Sequence, residues 1–289
     1  MINKSALLML LLCVAAARVP AQSVPAAIAT DPPADTAHPA SMSVLHIASH
    51  GVLINGLLYA PAGAGPHPTV VICHGLPGNE KNLDLAQALR RAGWNAVTFN
   101  YRGSWGSAGK FAFAHTLQDA DAVLSYLRGP ANSAKLGIDT HRIALVGHSM
   151  GGWITAHTAA HDHALLGAVL VSMGDMSLVA QMPHDKAVAE MADNMETLAG
   201  VTAESMADEI SQHAKQFAIL PLAGSLVHTR LLAITSDDGL QAHTDNLLNA
   251  IKAQGGTLAK SVHVATDHGY SDHRIALESM VIEWLTSLP

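Results

Sequence analysis

Cysteine is almost missing from this chain: there are two in 289 residues, Cys13 and Cys73. Cys13 lies in the leading segment MINKSALLMLLLCVAAARVPAQS, where Lys4 precedes an apolar run over residues 6–17 and small residues stand at Val19 and Ala21. This is the pattern of a secretory signal peptide cleaved after Ala21. Leu12 is too bulky for the site before a lipidated cysteine. With residues 1–21 removed, Cys73 has no partner. An internal disulfide is then excluded even in an oxidising compartment, and core packing alone must hold the fold. Long apolar runs are missing too. The 6–17 run is too short for a permanent membrane span, so no stable anchor is expected and the product is secreted or periplasmic.

Charge is sparse, at 13% of residues, and acidic residues outnumber basic ones 23 to 16. Loss of Lys4 and Arg18 with the signal takes the formal charge from −7 to −9. An acidic chain without a basic stripe excludes nucleic acid as a natural partner. No internal repeat is visible. What the chain does have is 49% hydrophobic residues, enough for the core of one domain.

Residues 22–42 are rich in Pro, Ala and small polar residues and read as a flexible leader. A single domain is expected over 43–289. Two strand-like runs, VLHIAS and VLINGLLYAP, are followed by TVVICHG, an apolar, β-branched run suited to a strand buried on both faces. Helical and strand patterns then take turns: NLDLAQALRRAG, WNAVTFN, LQDADAVLSYLR, RIALVGHS, GGWITAHTAAHD, LLGAVLVS, LLAITS, HTDNLLNAIKAQGG, TLAKSVHVA and SDHRIALESMVIEWLTSL. Such alternation predicts an α/β fold with a mostly parallel central sheet and helices on both faces. Residues 176 to about 225 interrupt it. They are helical in pattern and carry Met176, Met182, Met191, Met195 and Met206. They read either as a helical cap over a pocket or as helices packed on one another by adaptable methionines.

The chemistry centres on 145-LVGHSMGGW-153. Here G-x-S-x-G stands between a buried strand and a helix. A sharp strand-to-helix turn strains the serine backbone and leaves no room for side chains at Gly147 and Gly151. It lifts Ser149 clear of the sheet, with the N-terminus of the next helix behind it. A serine hydroxyl becomes a nucleophile only when an oriented base takes its proton. His268, in ATDHGYSDHR between the last strand and last helix, is the best placed histidine; His273 falls on the helix and His263 inside the strand. The acid should follow LLAITS, where Asp238 is preferred and Asp237 is the alternative; Asp175, one strand earlier, is a third option. Two backbone N–H groups must hold the oxyanion. Met150, after the serine, supplies one, and Leu76, in the loop HGLPGNE, the other.

These residues and the stretches HGLPGNEKNLDLAQALRRAGW, NYRGSWGSAGKF, VGHSMGGW and DHGYSDHR resemble the α/β-hydrolase superfamily. The chain looks most like its prolyl-oligopeptidase-like and serine aminopeptidase-type hydrolases, over residues 43–289. The resemblance implies Ser149 as nucleophile, His268 as base, Asp238 or Asp237 as acid, and Leu76 and Met150 as oxyanion donors. It implies no cofactor. ITSDD departs from the glycine that many relatives place before the acid, and the β-propeller of true prolyl oligopeptidases is absent.

Two further motifs have plain and sharp readings. In YRGSWGS, Arg102 could hold a carboxylate or phosphate and Trp105 could line an acyl pocket; the simpler role is bracing a loop. His157, His161 and His163 could offer an i,i+4 metal pair, but no third ligand follows at a clear spacing, and no metal is expected. The expected function is a serine hydrolase cleaving small to medium carboxylic esters. The alternatives are a peptidase of short peptides and a non-catalytic binding protein on the same fold.

Overall fold

The protein is described over residues 24–289 by a computed structural model. The signal peptide expected at residues 1–21 lies outside the described residues. The leader does not run free to residue 42. Strand β1 already begins at Ser41, and the short helix α1 (Ala26–Ala29) sits against the body, its Ala27 carbonyl accepting a hydrogen bond from Arg91 Nε.

All eight expected strands form: β1 (Ser41–Ser49), β2 (Val52–Ala60), β3 (His67–Cys73), β4 (Asn95–Phe99), β5 (Ile138–His148), β6 (Gly167–Val171), β7 (Leu231–Thr235) and β8 (Ala259–His263). They make one sheet in the order β1-β2-β4-β3-β5-β6-β7-β8. β1 pairs antiparallel with β2, and β2 with β4; from β4 to β8 all neighbours are parallel. Central strands are buried throughout, as in β4 and β6, because helices cover both faces. On β1, Leu45, Ile47 and Ser49 point inward, whereas Val44 and His46 face outward.

One face carries α2 (Leu83–Arg91) and α9 (Arg274–Thr286), whose Leu85, Leu89, Leu277 and Val281 pack with Val70 and Ile234 of the sheet. The other carries α3 (Phe113–Arg128), α5 (Met150–His161) and α8 (Gln241–Ala253). Helix α5 is buried along most of its length because sheet, α3 and the insertion enclose it, and only its last residue, His161, is exposed. Between α3 and β5 lies α4 (Pro130–Leu136), which the apolar periodicity did not reveal. Its signals are Pro130 in the first turn and Gly137 at φ 64° after the last.

The segment between β6 and β7 is helical, as expected. It contains 3₁₀ turns at Met176–Gln181 and Leu220–Gly224, with α6 (His184–Ala192) and α7 (Ala203–Phe217) between them. Met206 is fully buried against the body, whereas Met176, Met182 and Met191 line a cavity beside Ser149. Phe217, at the end of α7, packs edge-on against Trp153 and takes that indole's N–H on its own carbonyl.

Candidate active site

Parallel strands end on the same side of a sheet, so the loops after β3, β5, β6, β7 and β8 gather at one edge. Ser149 follows β5 and is the residue before α5. Its φ of 59° and ψ of −121° are rare for a residue with a side chain, and Ser149 N–H is held by the Val171 carbonyl at 2.9 Å. The glycines around it are demanded by space. A Cβ on Gly147 would lie 2.0 Å from the Gly151 carbonyl oxygen, and one on Gly151 would lie 1.9 Å from that of Cys73. Gly151→Ala is therefore expected to cost more than about 3 kcal/mol of stability. Gly174→Ala, with open space around it, is expected to stay within about 0.5 kcal/mol. Denaturant midpoints check both.

His268 Nδ1 lies 2.7 Å from Asp238 Oδ2. Asp238 is the acid that meets the histidine, and its side chain is only 4% exposed. Burial would push this carboxyl up. The His268 hydrogen bond, the Leu240 N–H and the Ser172 and Ser236 hydroxyls outweigh that and hold it below the ordinary carboxylate range. An ionised Asp238 places the imidazole proton on Nδ1 and leaves Nε2 with a free lone pair. Ser149, His268 and Asp238 line one cavity of about 450 Å³, together with Leu76 and Met150. Met150 opens α5, so its N–H is one of those a helix leaves without an intrahelical acceptor.

The rival residues go elsewhere. Asp237 is turned outward onto His263 at 3.1 Å. Asp175 lines the cavity, but its Oδ1 caps Ser177. His273 is paired with Asp272. Trp105 is a correction to the sequence reading: it is not among the lining residues, its indole N–H is spent on the Pro77 carbonyl at 2.7 Å, and Lys81 sits over its ring. Arg102 is bound to the buried Asp119 through N–H and Nε, so it braces its loop. His157 and His161 are engaged with the Phe217 carbonyl and Asp121, and do not converge on a common point.

Several supporting residues escaped the sequence reading. His148, beside the serine in the quoted motif, donates from Nε2 to the His268 carbonyl at 2.8 Å and packs on its ring. Tyr270, fully buried, donates to the Ile234 carbonyl and contacts Ser172. Arg274 donates to the Gly269 carbonyl, both oxygens of Asp84 and the Asn82 side chain. Burial, reinforced by the charge His268 can carry, lowers the His148 pKa to about 4. A histidine depressed below its unfolded value stabilises the fold fully above about pH 6.5, and that contribution is lost as pH falls towards 4. The stability lead of wild type over His148→Gln is expected to shrink by about 3 kcal/mol across that window, read from urea midpoints at each pH.

Residues 70–279 match the family model described as "Alpha/beta hydrolase family". An uncharacterised protein of Mycobacterium tuberculosis is 29% identical over 129 residues, 44% of either chain. The chain thus spans under half the length of that curated relative. Among solved structures, a hyperthermophilic esterase from the archaeon Pyrobaculum calidifontis superposes with a TM-score of 0.63 at 21% identity, covering 87% of both chains. Est1E from Butyrivibrio proteoclasticus, solved with ferulic acid bound, gives 0.68 at 18% identity over 84% of this chain and 98% of that one.

Proposed function

This chain belongs to the alpha/beta hydrolase family, and from that premise we propose that it is a serine hydrolase cleaving carboxylic esters through an acyl-enzyme. The observation that carries the reading is the 2.7 Å pairing of His268 Nδ1 with the buried Asp238, in the cavity that Ser149 also lines. In this mechanism His268 Nε2 takes the Ser149 proton as Oγ attacks the acyl carbonyl. The Leu76 and Met150 N–H groups hold the oxyanion, and Asp238 stabilises the imidazolium. His268 then returns the proton to the departing alcohol. A water activated by the same nitrogen cleaves the acyl-enzyme, releasing the acid and restoring the Ser149 hydroxyl.

Esters of modest size suit the half-open cavity of about 450 Å³, whose cap side is mostly apolar, with Met176, Leu178, Val179, Met182 and Met191. Neighbouring folds that are themselves esterases support the same choice. The leading MINKSALLMLLLCVAAARVPA supports export as the setting. A fluorophosphonate probe tests the reading: it is expected to label wild type and not Ser149→Ala. Unlabelled wild type, or a Ser149→Ala variant labelled equally, would overturn it. 4-Nitrophenyl esters run beside aminoacyl nitroanilides then separate ester from peptide cleavage, with faster ester turnover expected.

A further inference from the structure

The cavity beside Ser149 carries a charge pattern that ester cleavage does not require. No lysine or arginine lines it, whereas three carboxylates do: Asp175, Glu190 and Asp238. Asp238 is committed to His268. Asp175, 9% exposed, spends one oxygen on the Ser177 N–H and hydroxyl and has no cationic partner among the described residues. Glu190 stands on α6 of the cap, and among the described residues no cation pairs with it. Apart from Asn194 the rest of the cap wall is apolar, and His243 and His268 face the same space from the body. Two carboxylates on a wall without lysine or arginine, Glu190 at the exposed rim and Asp175 buried deeper, favour positive charge and disfavour negative charge in the space between them. The acidic excess of the whole chain, −7 in formal charge, adds to that field.

The acyl group of a substrate must enter this space. Ser149, Leu76 and Met150 all line it, so the carbonyl under attack lies inside it and the chain attached to that carbonyl runs along its walls. We propose that the cavity is a charge filter on the acyl chain. Esters with neutral or cationic acyl groups are turned over, those with a free carboxylate are rejected, and Glu190 on the cap is the residue that sets the preference. The proposal rests on the serine-hydrolase reading above. A like charge a few ångströms from Glu190 at the water-facing rim lowers occupancy roughly five- to tenfold, and more beside Asp175, where water is scarcer. Both effects weaken as salt rises.

The test uses the full mature chain and three 4-nitrophenyl esters of matched length: pentanoate, the glutarate monoester, and 4-(trimethylammonio)butanoate. The expected kcat/KM for the neutral ester is at least tenfold above that of the carboxylate, with the trimethylammonium ester equal to or above the neutral one. In Glu190→Gln the neutral-to-carboxylate ratio is expected to fall about fivefold, and in Glu190→Lys further still. Raising sodium chloride from 20 mM to 500 mM should narrow the wild-type ratio in the same direction. Wild-type rates within twofold of one another, or a ratio unchanged in both Glu190 variants, overturn the filter while leaving the hydrolase intact. Turnover of none of the three esters, with no fluorophosphonate labelling, overturns the hydrolase reading and the filter with it.

Discussion

Ser149→Ala is expected to lower kcat/KM on a 4-nitrophenyl ester by about a millionfold, with little change in thermal stability. The size follows from what the side chain alone supplies. Without Oγ there is no acyl-enzyme, so His268 and Asp238 have no proton to move, and their contribution is lost together with that of the serine. What remains is the oxyanion site and binding, which typically leave a residual acceleration of about a thousandfold or more over water. Stability should hold because Ser149 is fixed by its backbone: its N–H bonds to Val171, its carbonyl takes the N–H of Gly152 and Trp153, and its hydroxyl caps nothing in α5. Stopped assays at high enzyme concentration, with melting curves alongside, measure both. A variant that melts normally and keeps a tenth of wild-type turnover would show that some other group attacks the ester.

The next largest effect separates two adjacent aspartates. Asp238→Asn is expected to reduce kcat by about ten-thousandfold, whereas Asp237→Asn should stay within about threefold of wild type. An amide at position 238 can present its N–H₂ to His268 Nδ1, which moves the imidazole proton to Nε2 and removes the lone pair that takes the serine proton. It also withdraws the negative charge that four hydrogen-bond donors gather around and that would face the imidazolium. Asp237, 64% exposed and bonded to His263, can do neither. Steady-state kcat for the two variants decides the matter, and near-full turnover in Asp238→Asn would remove it from the mechanism.

The strand and helix order, α1 and α4 apart, was legible because the elements carry a local period, and so was the serine elbow, where a Cβ on either glycine would come within about 2 Å of backbone. His268 was legible from its place between β8 and α9. The choice between Asp237 and Asp238 was not. Both follow the same strand, and only the turn places one against His268 and the other in solvent. Trp105 illustrates the opposite failure: an aromatic beside a conspicuous loop suggested a substrate wall, but its indole N–H found a backbone carbonyl 28 residues away in sequence. Ser172, Ser236 and Tyr270 were invisible for one shared reason. Their roles depend on which distant segment they meet, and no local pattern encodes that.

The guanidinium of Arg274 joins Gly269, next to His268, to Asn82 and Asp84 at the start of α2, segments some 190 positions apart in the chain. The segment after His268 and the start of α2 are therefore tied through one side chain. A chimera that takes its final helix from a relative with another residue there would cut this bridge while leaving Ser149, His268 and Asp238 in the chain. For anyone recombining such enzymes, the safe crossover points lie where no bridge of this kind is cut.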